Sequence, residues 1–160
     1  MASLNFNQGN YEESVSAVTA TPSVRIGDRR FYQGEEYVYC YNAGGAAISQ
    51  TIGVKLITGA SGYSIAATSL TDTFHPCVGV VKHTSMAAGD YGWILTKGFA
   101  SVQLVSASTA DYKMIALGAA GKFIEASGTT TLGTAVAVGF LLSHNTGAAG
   151  SAYGYIKTGM

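Results

Sequence analysis

The chain has 160 residues, with nine lysines and arginines balanced by nine acids, and charged residues are 11% of the total, less than half the usual share of about 25%. This length fits one domain, and zero net charge argues against long-range attraction to nucleic acid. Because so sparse a charge makes a free monomer poorly soluble, the composition predicts a surface largely covered by copies of the chain or by a partner.

The first 25 residues differ from the rest of the chain. They are polar, with scattered apolar residues and no alternation, and they contain neither the basic nor the apolar region of a secretory signal. We predict that residues 1–25 form an arm outside a β-rich body at 26–160. The longest apolar stretch, Ala135 to Leu142, is far short of the ~20 residues that span a bilayer, which predicts no membrane contact.

The basic cluster "RIGDRR" follows the arm. Its arginines, Arg25, Arg29 and Arg30, are candidates for contact with an acidic partner surface. The alternative is local neutralisation by neighbouring acids, since surface ion pairs are common and weak.

Short β-rich runs separated by glycine-containing turns fill the body. In "EYVYCYN" the tyrosines at 37, 39 and 41 alternate with Val38 and Cys40, the period of a strand with two different faces. Eight further runs follow: "IGVKLI", "PCVGVVKH", "YGWILT", "SVQLV", "YKMIAL", "GKFIEA", "AVAVGFLL" and "AYGYIKT". About ten short strands at this spacing predict an all-β sandwich or barrel.

Residues capable of chemistry are few. His75, Cys77 and His83 lie close in sequence, but without the spacing of a zinc site or the orienting group of an activated nucleophile. "GAAGKF" at 118–123 is too short for a phosphate loop, and we interpret it as a hairpin turn. We expect no catalysis, no metal and no cofactor, with Cys40 and Cys77 buried as small hydrophobes; the residues leave open whether they pair.

One phrase occurs twice. "VGVVKHTSMAAGDYGWILTKG" begins at Val78, and "VGFLLSHNTGAAGSAYGYIKTG" begins at Val138. The two copies share Val-Gly, Ala-Ala-Gly and Tyr-Gly, and Trp93 corresponds to Tyr155. Because turn and packing residues repeat while the histidine does not, we predict two similar hairpins, at 78–95 and 138–156.

The pattern "VGVV…AAGDYGWILTKG", "ALGAAGKF" and "AVGFLLS…AAGSAYGYIKTG" resembles the small decoration, or cement, proteins of tailed-bacteriophage heads. The resemblance covers about Val24 to Thr158. It implies a β-rich body, commonly a homotrimer, made in the bacterial host cytoplasm and bound to the major capsid protein on the outer face of the virion. It implies no enzyme activity, no cofactor, and no nucleic-acid or membrane partner.

Under this interpretation, the arm makes the decisive contact with a neighbouring subunit or the shell. Leu4, Phe6 and Tyr11 would be its apolar anchors, since the arm holds too few apolar residues to offset the entropy cost of ordering alone. Three alternatives stay open: another virion component, such as a head fibre base, a tail tube or a minor capsid protein; a carbohydrate-binding module with exposed Tyr and Trp; and a small β-barrel hydrolase using His75, Cys77 and His83.

Overall fold

The computed structural model describes residues 14–57, 63–67, 77–106, 112–125, 137–143 and 150–158. Within them the chain forms eleven strands of one sheet and a single short 3₁₀ turn at Ala119–Gly121, which confirms the predicted all-β class. The strands are β1 (Val18–Thr19), β2 (Arg29–Tyr32), β3 (Glu35–Asn42), β4 (Gly53–Leu56), β5 (Ser64–Ala67), β6 (Cys77–Val80), β7 (Tyr91–Gln103), β8 (Met114–Leu117), β9 (Phe123–Glu125), β10 (Ala137–Leu141) and β11 (Ser151–Lys157). Among the described residues, no helix has the length and hydropathy of a membrane span.

Five strands close into a barrel. Around the ring, β3 pairs with β5, β5 with β4, β4 with β6, β6 with β7, and β7 again with β3. The β3–β5 pair is parallel and the other four are antiparallel. The barrel alternative of the sequence prediction is therefore the one that the structure adopts.

The barrel interior is a cluster of small and branched side chains. Each of the five strands contributes to it, and their alternation follows the two-residue period of a strand. The buried members are Val38, Cys40, Ile48, Ile52, Val54, Ile65, Val78, Val81, Met86 and Ile94.

Strand β7 connects the barrel to a second part of the sheet. It has thirteen residues, and its far half pairs with β11, which is followed by β10, β8 and β9. At Gly98 the backbone has φ of 141°, and a Cβ there would lie 2.8 Å from Cγ of Glu35. A residue without a side chain is therefore needed where the strand leaves the barrel. We call β11, β10, β8 and β9, with the far half of β7, the extension sheet.

A second core joins the barrel to the extension sheet. Outward-facing barrel residues meet the inner face of the extension in one buried cluster, whose largest members include Tyr37, Tyr39, Trp93, Leu95, Leu104, Ile115, Phe123, Leu141 and Ile156. At ~1.5–3 kcal/mol for each large buried side chain, this cluster holds the two parts together as one body.

The duplicated phrase forms two antiparallel strand pairs, β6–β7 and β10–β11. Their glycines act alike: a Cβ on Gly79 would lie 2.4 Å from the carbonyl oxygen of Leu95, and one on Gly139 would lie 2.1 Å from that of Tyr155.

The registers of the two copies differ. Val80 pairs with Leu95, whereas its counterpart Phe140 pairs with Tyr155, which corresponds to Trp93. The two copies also differ in the length of their pairing, since β7 pairs with β3 along one edge and shares its other edge among β1, β6 and β11. This leaves β6 one residue pair. The loop at 144–149 lies outside the described residues, so the likeness of the two turns stays a prediction.

The described part of the predicted arm packs on the barrel of its own chain. Val15 is buried in the second core, and Val18 and Thr19 pair with the start of β7. The hydroxyl of Tyr39 lies 3.2 Å from that of Ser23 and 3.4 Å from that of Thr19. This attachment differs from an arm lying wholly outside the body, because Val15 is buried in the second core and Val18 packs against the barrel-interior cluster. The division of the chain at residue 25 stays a prediction, and Leu4, Phe6 and Tyr11 lie outside the described residues.

Candidate interaction surface

The outer face of the extension sheet carries a row of large apolar side chains. Phe99 of β7 pairs with Tyr155 of β11, Tyr155 with Phe140 of β10, and Phe140 with Met114 of β8. Tyr153 lies two residues before Tyr155 on β11 and adds a fifth large side chain beside this row. We call these five residues the aromatic band.

The band follows from strand alternation. In β7 and β11 the small residues Ala100, Val102 and Ala152 face the core, which sends the residues between them to the opposite face. The rings contact one another: Phe99 and Tyr155 have centroids 5.1 Å apart, and Phe140 and Tyr155 5.5 Å apart. Contacts of this kind stabilise neighbouring strands.

The band is open to solvent in this single chain. Met114 is 50% exposed, Tyr153 47%, Phe99 42% and Phe140 38%. Scattered exposed apolar residues are normal, but a contiguous group of them is typical of an interaction site. Aromatic residues and methionine are also enriched in protein–protein interfaces.

Two lysines lie at one end of the band. Lys97 and Lys157 are direct cross-strand partners, one row beyond the Phe99–Tyr155 pair, and both are exposed. Lys97 also pairs with Glu36 of β3 on its other side, but the Glu36 carboxylate accepts a hydrogen bond from Arg29 at 2.6 Å. Two like charges opposite each other on neighbouring strands are unfavourable. The cross-strand pairing of Lys97 with Lys157 therefore does not neutralise the positive charge of either side chain.

A polar cluster built around Glu35 packs against the bend of β7 at Gly98, next to the end of the aromatic band that carries the lysines. The Glu35 carboxylate accepts hydrogen bonds from Nζ of Lys82 at 2.6 Å, from the Tyr37 hydroxyl, and from the backbone N–H of Phe99 at 3.1 Å. Burial raises the pKa of Glu35, but the hydrogen bonds from Lys82, Tyr37 and Phe99 outweigh it, so the pKa lies below its ordinary value. The cluster fixes Phe99, and thereby one end of the aromatic band.

His83 belongs to the same cluster. Its Nε2 lies 3.0 Å from the Tyr37 hydroxyl, and its ring stacks on that of Tyr37. Burial and the nearby Lys82 lower the pKa of His83, while burial and the Glu35 carboxylate raise that of Tyr37. Both groups are therefore held neutral near pH 7, as suits a structural hydrogen-bond network.

The predicted arginine cluster is divided by the structure. Arg29 is bound to Glu36, which matches local neutralisation, and a hydrogen bond to Tyr63 is the main reason that the pKa of its guanidinium is raised. Arg30 lies over the ring of Tyr32, with 5.5 Å from its Cζ to the ring centroid. Arg25 is exposed. Whether any of them contacts a partner stays a prediction.

The cysteines and histidines do not assemble into a chemical site among the described residues. Cys40 lies in the barrel interior and Cys77 in the second core, both as free thiols. Burial raises the pKa of both, that of Cys77 to about 12, which makes them poor nucleophiles. No group of three His, Cys, Asp or Glu side chains within the described ranges could hold a metal, but His75 lies outside those ranges.

The position of Trp93 argues against the carbohydrate-binding alternative. Trp93 is 3% exposed and packs against Tyr39, with ring centroids 5.1 Å apart. A buried indole offers no face on which a sugar ring could stack.

The aromatic band is not among the candidate residues that the sequence suggested. The alternating "FASVQ" and "SAYGYIK" do send Phe99, Tyr153 and Tyr155 to one face of each strand. The alternation does not show that β11 pairs with both β7 and β10, and this pairing is what places those faces side by side.

No protein family model matches the chain, and no curated protein sequence matches it. Among solved structures, the fold is similar to that of the N base of the head fibre protein gp8.5 of bacteriophage phi29, with a TM-score of 0.50 and 11% identity. The similarity covers 76% of this chain and 94% of that structure. At this level of identity the comparison establishes a shared fold.

Proposed function

We propose that this chain is a structural protein of a tailed bacteriophage, attached to the outside of the viral head. The observation that carries the proposal is the shared fold with the head fibre base of phage phi29, which spans nearly all of that structure. The duplicated Val-Gly and Tyr-Gly phrases support the same class of protein. Since a fold alone does not determine function, the proposal depends on binding experiments.

The composition and surface of the chain suit attachment through contacts alone. Sparse charge and an exposed aromatic band are features of protein–protein interfaces. A protein of this kind needs no catalytic group and no cofactor. It stabilises an assembled shell by binding to neighbouring subunits of the assembled state and not to the free ones.

Two forms of attachment fit the proposal. In the first, the chain is a cement protein, a homotrimer that bridges copies of the major capsid protein. In the second, it is the base on which a head fibre stands, and the structural similarity favours this form. The two differ in their effect on the shell: a cement protein raises the temperature at which the head comes apart, whereas a fibre base need not.

The test uses heads of the phage that encodes the chain, assembled without it. Purified protein is added in increasing amounts, heads are separated from free protein by sedimentation, and bound copies per head are counted. We expect binding that saturates at a fixed copy number. Nonsaturating or absent binding contradicts the proposal, and a rise in the disruption temperature distinguishes cement from fibre base.

A further inference from the structure

We propose that the aromatic band, together with Lys97 and Lys157, is the surface that docks on the head, and that its partner there is an acidic protein surface. This inference rests on the proposed function and adds the docking face and the chemistry of the partner. The band is the residue row Phe99–Tyr155–Phe140–Met114 with Tyr153 beside it, ending at the two lysines.

The charge of this face selects the partner. Lys97 and Lys157 are directly opposite each other, an arrangement that is unfavourable in the free chain. A carboxylate placed between the two ammonium groups would remove that repulsion and form hydrogen bonds with both. The acid next to Lys97 on its other side, Glu36, is already bound by Arg29, so the structure points to an acid from outside.

The apolar part of the face requires a protein partner of complementary shape. Four of the five band residues are between 38% and 50% exposed, so each has apolar surface left to bury. Large aromatic anchors surrounded by a polar rim are where binding energy is concentrated in protein interfaces. The lysines at the edge then serve mainly to attract and orient the partner.

A nucleic acid fits these observations less well. A backbone of phosphates needs a track of cations along its length, whereas this face offers two lysines at one end and the chain has no net positive charge. We therefore commit to an acidic protein surface, and binding through nucleic acid becomes an outcome of the test.

The test compares two pairs of variants on purified heads. Tyr153→Ser and Lys157→Glu change the proposed face. Val105→Ser and Lys122→Glu are matched controls, since Val105 is 41% exposed just past the end of β7 and Lys122 lies at the turn between β8 and β9, both outside the Lys97–Lys157 row. We expect each face variant to weaken binding about tenfold or more while the controls stay within about twofold. Thermal unfolding of each free variant shows that the fold is intact.

A second measurement identifies the partner group. A carbodiimide reagent joins lysine amines to adjacent carboxylates without a spacer, and peptide mass spectrometry locates the products. We expect Lys97 or Lys157 joined to an Asp or Glu of the major capsid protein, on heads emptied of DNA and treated with nuclease.

The outcomes separate the two proposals. If the unaltered chain does not bind heads, the proposed function fails. If it binds but the face variants bind as well as the controls, or the cross-links join this chain to a second copy of itself, the docking face is wrong while the function stands. Loss of binding after nuclease treatment would assign the face to nucleic acid and overturn the inference.

Discussion

Replacing Gly139 with Ala tests the packing role assigned to the duplicated Val-Gly pair. A Cβ at this position would lie 2.1 Å from the carbonyl oxygen of Tyr155, and real Cβ atoms essentially never come closer than 3.0 Å to another atom. The backbones of β10 and β11 must therefore separate by about 0.9 Å, the difference of those two distances. A ladder hydrogen bond of ~2.9 Å would stretch to nearly 4 Å and break.

The expected cost follows from the bonds that are lost. Two ladder bonds at about 1 kcal/mol each, with some desolvation of groups left unpaired, exceed the ~0.5–1 kcal/mol gained by replacing a strand glycine. We expect Gly139→Ala to lower the free energy of unfolding by about 2–4 kcal/mol. Gly79→Ala should act similarly, because its Cβ would lie 2.4 Å from the carbonyl oxygen of Leu95.

Urea unfolding followed by tryptophan fluorescence measures this change, since Trp93 is buried in the second core. Gly45→Ala is the matched control: nothing lies within 4 Å of its Cβ position and its φ is outside the left-handed region, so its effect should stay within about 0.5 kcal/mol. A Gly139→Ala protein as stable as this control would refute the close approach of the two strands.

Three further predictions concern the cysteines, the Glu35 cluster and the N-terminal segment. Replacing Cys40 or Cys77 with Ala should lower the free energy of unfolding by ~1–3 kcal/mol without affecting head binding; stoichiometric zinc, or rapid alkylation of the native thiols, would contradict burial as their role. The Glu35 carboxylate should stabilise the folded chain above pH 4.5, the ordinary pKa of the group, and this stabilisation should be lost as pH falls through the lower pKa of the folded state. Glu35→Gln should remove this pH-dependent stability. Identical acid unfolding curves for both proteins would show that the carboxylate contributes nothing. Deleting residues 1–13 should leave the barrel folded but weaken head binding, whereas a deletion that also removes the buried Val15 should destabilise the body by a further ~1–3 kcal/mol; full head occupancy after the shorter deletion would remove the arm from the interface.

Much of the fold could be predicted from the alternation of the strands. The period-two pattern of β3 placed Tyr37 and Tyr39 on one face and Val38 and Cys40 on the other, and the structure assigns these faces to two different buried clusters. The turn at Ala119–Gly121 also follows from local sequence, because it joins two adjacent strands. Local signals of this kind act over a few residues.

The closure of the barrel could not be predicted in the same way. It depends on a parallel pairing of β3 with β5 and on β7 belonging to both the barrel and the extension sheet, on either side of the bend at Gly98. The pairing of distant strands is decided by packing, not by propensity. The candidate surface depends on the same pairing, since its residues come from four strands, and alternation within a single strand does not reveal it. The contacts expected of the arm and of the three arginines stay predictions.

The attachment of the segment after residue 13 has a similar explanation. Its apolar residues are too widely spaced to show a strand period, but Val15 and Val18 each find a site on the barrel. These two contacts, with the Tyr39 hydroxyl beside Thr19 and Ser23, attach the segment to its own chain. A pattern search that looks for alternation does not detect isolated anchors.

If this chain stands on the outside of a phage head, as we propose, it must be present in purified virions at a defined copy number. Virions of the phage that encodes the chain are banded on a density gradient, and the chain is quantified against the major capsid protein by mass spectrometry, before and after protease treatment of the intact particles. We expect a fixed copy number set by the symmetry of the shell, with the chain accessible to protease from outside. Its absence from infectious particles, or its full protection inside the shell, would show that it is not a component of the outer face of the head.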